Sequence, residues 1–470
     1  MAFSAKVNVL HHRLTKERTT MPHANHHTQL SAGEQPSCLL NDAPWQELLA
    51  LLPADSFEQA RLQKAFVRAR GLRHPADLLR GILAYVFCLS SFRVLGSWAR
   101  SMGLCGNGER SWAKRTRQAA CWLLWLLQDL LEPDGNEGEL TGPSAFAGRI
   151  HLVDATHLRT WKRNGESRRL HMSYDLLGKR LEQVLLTDHH VGEGLRHFSF
   201  APGDIVVGDS AYCRRQPLFD QLDAGVDVVV RLHWSNVPLR QPTGEAFDLS
   251  AWLASLWEGQ GEQIVWTHIG KRRVRFRLLA QRLSEAAAKR AHRKRRSKAR
   301  KNGSKNQPLT IEVASWLLVL TSLKEEHWSR EMVLALYRSR WQIELLFKRL
   351  KQLVRMHRLR SSELSSNQAV LAGLLVGWTL MERQASLLRE QADASREPEQ
   401  IRRAPLSNWQ VCATLVESLR TMLLGPWTWG QIQEHVEAIV RLWRLHPQAR
   451  DLQESQVREL FEPVLAALIT

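Results

Sequence analysis

The sequence predicts a mixed α+β / α/β fold: a catalytic-type core of strands and helices, split by a β-rich insertion and flanked by helical amino- and carboxyl-terminal domains. Three observations carry this. Apolar residues recur every three or four positions between residues 44 and 133 and again beyond residue 351. Between residues 149 and 234 they gather instead in short β-branched runs closed by turn residues. Helical periodicity then returns sharply in LALYRSRWQIELLFKRLKQ, residues 334–352.

Residues 1–40 are polar and His-rich, without apolar periodicity, and are expected to be a disordered leader, with Met21 as an alternative start. The pairs His11-His12 and His26-His27 have no acidic or cysteine neighbours, so they read as solvated. Residues 41–140 form a helical domain, punctuated by Pro75 and a GNGERS turn at 106–111. Arg100, Arg110, Lys114, Arg115 and Arg117 lie near its turns and can dock on a duplex, or form a plain solvated face. A Gly-rich linker, 135–148, follows.

From residue 149 to 234, IHLVDATHLRTW, RRLHMSYDLL and RLEQVLLTDHH read as three strands and IVVGDSAYC as a fourth, followed by a helix and the strand VDVVVRLHW. That is the element order of an RNase H-like core, with Asp154 expected to end the first strand and Asp209 the fourth. Carboxylates at adjacent strand ends can bring oxygen donors within a few ångströms, which suits Mg²⁺; an Asp there can equally be a turn residue or cap. Residues 235–312 interrupt with strand-like EQIVWTHIG and RRVRFRLLAQ and a basic tract at 289–305. The second part of the core, 313–385, opens with the strand SWLLVLTSL, and Ser329 is a plausible N-cap for the helix after it. Residues 386–470 read as a helical carboxyl-terminal region, with segments at 407–424 and 427–445.

Charge narrows the partners. Lys+Arg 65 against Asp+Glu 47 gives +18 and a pI near 10.1, which favours a polyanion; a solubilising excess is the alternative. The tract 289–305 holds ten Lys/Arg and no acid, yet the rest of the chain stays positive without it, as an extended phosphate-contacting surface requires. The apolar run at 369–381 is broken by two glycines and reads as too short to cross a bilayer. No apolar h-region opens the chain, so a soluble cytoplasmic protein without a membrane partner is expected. Six scattered cysteines without a CxxC pair point to neither a disulfide framework nor zinc.

On a helix at about 100° per residue, Tyr337, Arg340, Glu344 and Lys351 share an arc of about 60° beside an apolar face of Leu336, Ile343, Leu346, Phe347 and Leu350. One carboxylate among cations and a phenol suits a place where metal and phosphate meet; a surface helix with ordinary ion pairs is the plainer reading. The spacing Tyr, two residues, Arg, three residues, Glu, six residues, Lys resembles the YREK signature of the insertion-sequence-four family of DDE transposases. The GDSAY context of Asp209 resembles that family too.

The resemblance implies a DDE triad of Asp154, Asp209 and Glu344, holding Mg²⁺ with Mn²⁺ able to substitute. It implies DNA contacts from Tyr337, Arg340 and Lys351, and base stacking by Trp316, 28 residues before Glu344, for which a buried core role is the alternative. It further implies cut-and-paste transposition with a hairpin step. The partners would be double-stranded DNA at terminal inverted repeats and a target, a homodimer in the DNA complex, and a place on the bacterial nucleoid. Asp188, before His189-His190, competes with Asp209, although those histidines suit zinc better than Mg²⁺. An RNase H-like metal-dependent nuclease and a catalytically inactive DNA-binding protein are the rival readings.

Overall fold

The computed structural model describes residues 43–69, 71–132, 148–160, 167–303, 307–356, 358–359, 363–394 and 408–425. The leader, the linker at 135–147 and the helix expected at 427–445 lie outside the described residues. The chain divides into a sheet unit within Leu131–Arg360 and a helical unit within Ala24–Leu130 and Ser361–Thr470. The second core segment, expected to run to 385, therefore stops near 360, and the residues after it join the amino-terminal helices instead.

The helical unit begins with α1 (Ala43–Ala50), α2 (Ser56–Leu62), α3 (Pro75–Phe87), α4 (Phe92–Ser101), α5 (Glu109–Gln118) and α6 (Ala120–Leu131). Pro75 opens α3 at a position where its missing N–H costs nothing, and Asp77 and His74 cap each other's backbone. All thirteen residues of α3 are buried, so it is the axis of the unit.

The sheet unit holds β1 (Ile150–Thr160), β2 (Arg168–Asp175), β3 (Arg180–Asp188), β4 (Ile205–Gly208), α7 (Arg215–Asp223) and β5 (Asp227–Arg231). The insertion follows with α8 (Leu249–Ser255), β6 (Gln260–Ile269), β7 (Arg272–Arg282), α9 (Glu285–Lys301) and α10 (Pro308–Val313). Next come β8 (Trp316–Thr321), α11 (Arg330–Ser339), α12 (Trp341–Gln352) and the short β9 (Arg358–Leu359). The strands run β3-β2-β1-β4-β5-β8-β7-β6, with β9 against the far end of β1. β1, β2 and β3 are antiparallel neighbours, whereas β1, β4 and β5 are parallel. This mixed sheet is the expected RNase H-like arrangement. Its middle strands are β-branched on both faces, as strands covered on both sides must be, and Val206, Val228, Val230, Leu318 and Leu320 are buried in one core cluster.

The insertion is not a separate β module: β6 and β7 extend the same sheet, β7 pairing with β8 from Arg277↔Thr321 to Arg282↔Trp316. Its basic tract is mostly helix rather than loop. Ser284 caps α9 through Ala287 N–H, Glu285 lies in the first turn and Lys298, Arg300 and Lys301 in the last, an order that complements the helix dipole.

The helical unit is completed by α13 (Leu364–Ala394) and α14 (Asn408–Leu424). Within α13, Leu364–Ala385 is long and apolar enough to cross a membrane, longer than the run read from the sequence. Most of it is buried inside the unit, as a core helix is. A side chain on Gly377 would come within 2.5 Å of the Phe87 ring, so the glycine there admits close packing on α3. Arg80 of α3, fully buried, donates to the Leu423 and Met422 carbonyls at 3.0 and 3.2 Å and so satisfies the end of α14.

Candidate active site

Asp154 and Asp209 are brought together by strand register. β1 pairs with β4 in parallel with Leu152 opposite Val207; Asp154 lies two residues beyond the one and Asp209 two residues beyond the other, and the charge of Asp209 bears on Asp154. Asp209 directly follows β4, as expected. Asp154, however, lies inside β1 rather than at its end, because β2 continues the pairing as far as Leu158 and β9 takes over beyond it. Each Asp is held by a backbone amide: Ala155 N donates to Asp154 Oδ1 at 2.8 Å and Ala211 N to Asp209 Oδ1 at 2.7 Å. Gly208 matters here, since a Cβ would meet Tyr212 Cβ at 3.0 Å and push the ring away from the strand end.

The stretch expected to be one helix is two, α11 and α12, meeting at Arg340. Ser339 Oγ donates to the Leu336 carbonyl at 2.6 Å, which is the acceptor a continuous helix would offer to Arg340 N–H. That amide turns to Tyr337 O at 3.2 Å instead, tightening the junction. Tyr337 thus closes α11, Glu344 sits in the first turn of α12 and Lys351 in the last.

α12 lies along β1. Asp154 and Thr156, two apart on one face of the strand, line a cleft of about 350 Å³ with Glu344, Phe347, Lys348 and Lys351. Arg340 Nη2 donates to Glu344 Oε1 and Lys351 Nζ to Thr156 Oγ1, both at 2.5 Å. The Tyr337 phenol is buried, and Arg340 is the cation that bears most on it. Among the charges bearing on that phenol are Arg231, at the end of β5, and Asp209.

Burial pushes the Asp154 carboxyl up to about 7, and Asp209 and Glu193 add to the shift against the Ala155 amide and Arg340. Burial opposes the charge of Arg340, but Tyr337, Glu344 and Asp154 outweigh it and hold the guanidinium above its ordinary range. Lys351 is lowered by burial, with Asp154 acting the other way. Asp154, Asp209 and Glu344 each have one oxygen tied to a donor. Among the described residues the second oxygen of each has no hydrogen-bond partner. An all-oxygen set with a free lone pair on each carboxylate fits Mg²⁺ or Mn²⁺.

The other residues singled out from the sequence fall elsewhere. Trp316 opens β8, is 6% exposed, packs in the core cluster and carries the Arg282 guanidinium 5.8 Å above its ring. Asp188 ends the edge strand β3, paired with Arg168 at 2.9 Å, and β2 separates it from β1. Its carboxylate, His189 and His190 offer ligand atoms within 4.8 Å of one another, so they form a separate group. Glu193 does not stand out in the sequence, because its Gly-Glu-Gly loop has neither periodicity nor a motif; its charge nonetheless bears on both Asp154 and Asp209. Thr156 and Arg231 escape notice in the same way, each visible only once strand neighbours are known.

The Transposase DDE domain family matches residues 146–380. The transposase for insertion sequence element IS421 from Escherichia coli is 32% identical over 347 residues, which is 72% of this chain and 92% of the relative. The putative transposase InsL for insertion sequence element IS186A from Escherichia coli (strain K12) is 32% identical over 346 residues, with the same coverage.

Proposed function

The chain belongs to the DDE-domain transposases, and from that premise we propose that it moves an insertion sequence by cut-and-paste DNA transposition, with Asp154, Asp209 and Glu344 as its metal-binding triad. The observation that carries this is the β1/β4 register, which brings Asp154 to Asp209 on the sheet that α12 covers with Glu344. Asp154, Asp209 and Glu344 would hold divalent ions such as Mg²⁺ or Mn²⁺, which would supply activation of water or a 3′-hydroxyl and stabilisation of the leaving oxygen at phosphorus.

The protein's own groups do the rest. Arg340, its guanidinium tied to Glu344, offers a buried Nε without a partner among the described residues, and a planar fork of this kind suits a phosphate. Lys351, held by Thr156 at the cleft wall, adds a point charge. The amino-terminal helices bind the terminal inverted repeats. Of their expected contacts, Arg117 is already paired with Glu363 at 2.8 Å and Arg100 with the Gly106 carbonyl at 3.1 Å, so the exposed Arg110 and Lys114 carry more of that role. Trp316 supports the sheet from within the core rather than stacking on a flipped base. The complex acts as a homodimer on DNA, at the bacterial nucleoid.

Replacing Asp154, Asp209 or Glu344 singly by Ala should abolish Mg²⁺-dependent cleavage of a terminal-repeat duplex while leaving its gel-shift binding largely intact, since each supplies metal ligands rather than DNA contacts. Cleavage retained in one variant removes that residue from the triad. Cleavage without joining of cut ends to target DNA, in the unaltered protein, would instead support a nuclease.

A further inference from the structure

The turn that ends β3 gathers three ligating side chains. Val191 N donates to the Asp188 carbonyl at 3.1 Å and closes the turn, while Arg169 Nη1 donates to the Val191 carbonyl at 2.6 Å and pins its far side. The backbone is thus set before any ligand arrives. From it, a carboxylate oxygen of Asp188 and a ring nitrogen each of His189 and His190 come within 4.8 Å of one another.

The closest pair says most about what fits between them. His189 Nδ1 lies 3.2 Å from Asp188 Oδ1, yet this buried nitrogen has no hydrogen-bond partner among the described residues. Two ligand atoms each about 2.0–2.1 Å from a tetrahedral Zn²⁺ stand roughly 3.3 Å apart, so the pair already has the spacing of a chelate. The His190 ring centroid is 3.7 Å from that of His189, and His190 is exposed, so a side-chain rotation suffices to bring its nitrogen in.

The carboxylate is oriented as a ligand would be. Arg168 Nη1 donates to Asp188 Oδ2 at 2.9 Å and the His190 amide to Oδ1 at 3.0 Å, as outer donors do around bound metals, and each oxygen keeps a further lone pair. The His190 amide is also the main reason that the Asp188 carboxyl titrates below its usual range, so it is ionised at neutral pH. The Asp188 and His189 side chains are 39% and 35% exposed, which leaves an open side for water as a fourth ligand. Two imidazole nitrogens beside one carboxylate favour Zn²⁺ over Mg²⁺.

We propose that Asp188, His189 and His190 form a second cation site, selective for a transition-metal ion of the Zn²⁺ type, which staples the last residue of the edge strand β3 to the loop that follows. The site is separate from Asp154, Asp209 and Glu344, since β2 lies between β3 and β1, and it does not depend on their role.

The test is Zn²⁺ binding to the full chain by isothermal titration calorimetry in excess Mg²⁺, which fills oxygen-only sites. The proteins compared are the unaltered chain, D188N, H190A, H189A/H190A and D154N, each first shown to melt normally without added Zn²⁺. Histidines elsewhere, His11-His12 and His26-His27 included, are common to all five and cancel in the comparison. The unaltered chain and D154N should take up an additional equivalent of Zn²⁺ that H189A/H190A does not. D188N and H190A should hold that equivalent more weakly by at least about tenfold, the loss that even an outer partner of a metal brings. Should the double variant not melt normally, H190A, altered at an exposed position, carries the comparison. Equal uptake and affinity in the unaltered chain and the histidine variants overturns the site, and so does an unchanged affinity in D188N. An equivalent lost in D154N but kept in H190A also overturns it and assigns the Zn²⁺ to the acids of the cleft.

Discussion

His151 offers a quantitative test of how the sheet is held behind the site. Its imidazole, 2% exposed, lies 2.6 Å from Glu182 Oε2 through Nδ1 and 2.9 Å from Asp204 Oδ2 through Nε2. Arg149 closes the group, its side chain donating to Glu182 at 3.0 Å and its amide to Asp204 at 2.9 Å. Two carboxylates, one on each ring nitrogen, require both nitrogens to donate, which only the imidazolium does. Burial opposes that charge, but the hydrogen bonds to Asp204 and Glu182 outweigh it and hold the group up to about 9, against an ordinary 6.5. A rise of that size corresponds to roughly 3 kcal/mol of stabilisation.

A folded pKa above the unfolded one means that this stabilisation is complete below pH 6.5 and is lost as pH rises toward about 9. Glu182 and Asp204 work in the opposite sense. Burial raises both, yet His151 and Arg149 bring them below their usual 4.5 and 3.8, so their contribution is present above those values and is lost on acidification. The network is therefore strongest between about pH 5 and 6.5.

The perturbation is H151Q, and the assay is thermal unfolding of both proteins from pH 5.5 to 9.5. At pH 6 the variant should melt about 6–12 °C lower, taking 2–4 °C per kcal/mol for a domain of this size. The gap should narrow through pH 9. A gap that stays constant from pH 6 to 9.5 would refute the imidazolium and leave a neutral, merely packed histidine.

Three further outcomes follow from the same geometry. Trp316→Ala should cost ~3–5 kcal/mol through the cavity it leaves, so nicking, hairpin and joining rates should fall together with the melting temperature; a selective loss of the hairpin step in a normally melting variant would restore the stacking role, worth ~1–3 kcal/mol. Changing the exposed Arg293, Lys294, Arg295 and Arg296 of α9 to Gln should reduce the slope of log affinity against log salt by about 0.9 for each phosphate no longer neutralised, and an unchanged slope would make α9 a solubilising helix. Arg80→Met should destabilise the helical unit by ~3 kcal/mol or more, because the Met422 and Leu423 carbonyls are left buried without their donor; a variant melting within about 2 °C of the original by the same scale would count against that capping role.

What the sequence revealed and what it hid divide along the range of the interactions involved. The β4 end and Asp209 were legible because IVVG is an unbroken strand run closed by a turn the aspartate itself makes through Ala211. The Ser329 cap was legible for the same local reason, its hydroxyl accepting from Met332 N–H at 3.3 Å. The end of β1 was not, because its length is set by β2 on one side and by β9, far along the chain, on the other. Nor was the break at Arg340: the four signature residues satisfy a straight helix perfectly well, and only the competition between Ser339 Oγ and Arg340 N–H for the Leu336 carbonyl redirects the chain. The same limit explains Glu193. Sequence motifs register residues whose spacing is fixed by one element, whereas Glu193 sits on a loop whose course is dictated by Arg169 on β2 and by His197 beyond it. A carboxylate held in that way carries no spacing signal, so its effect on the charges of Asp154 and Asp209 emerges only in the folded chain.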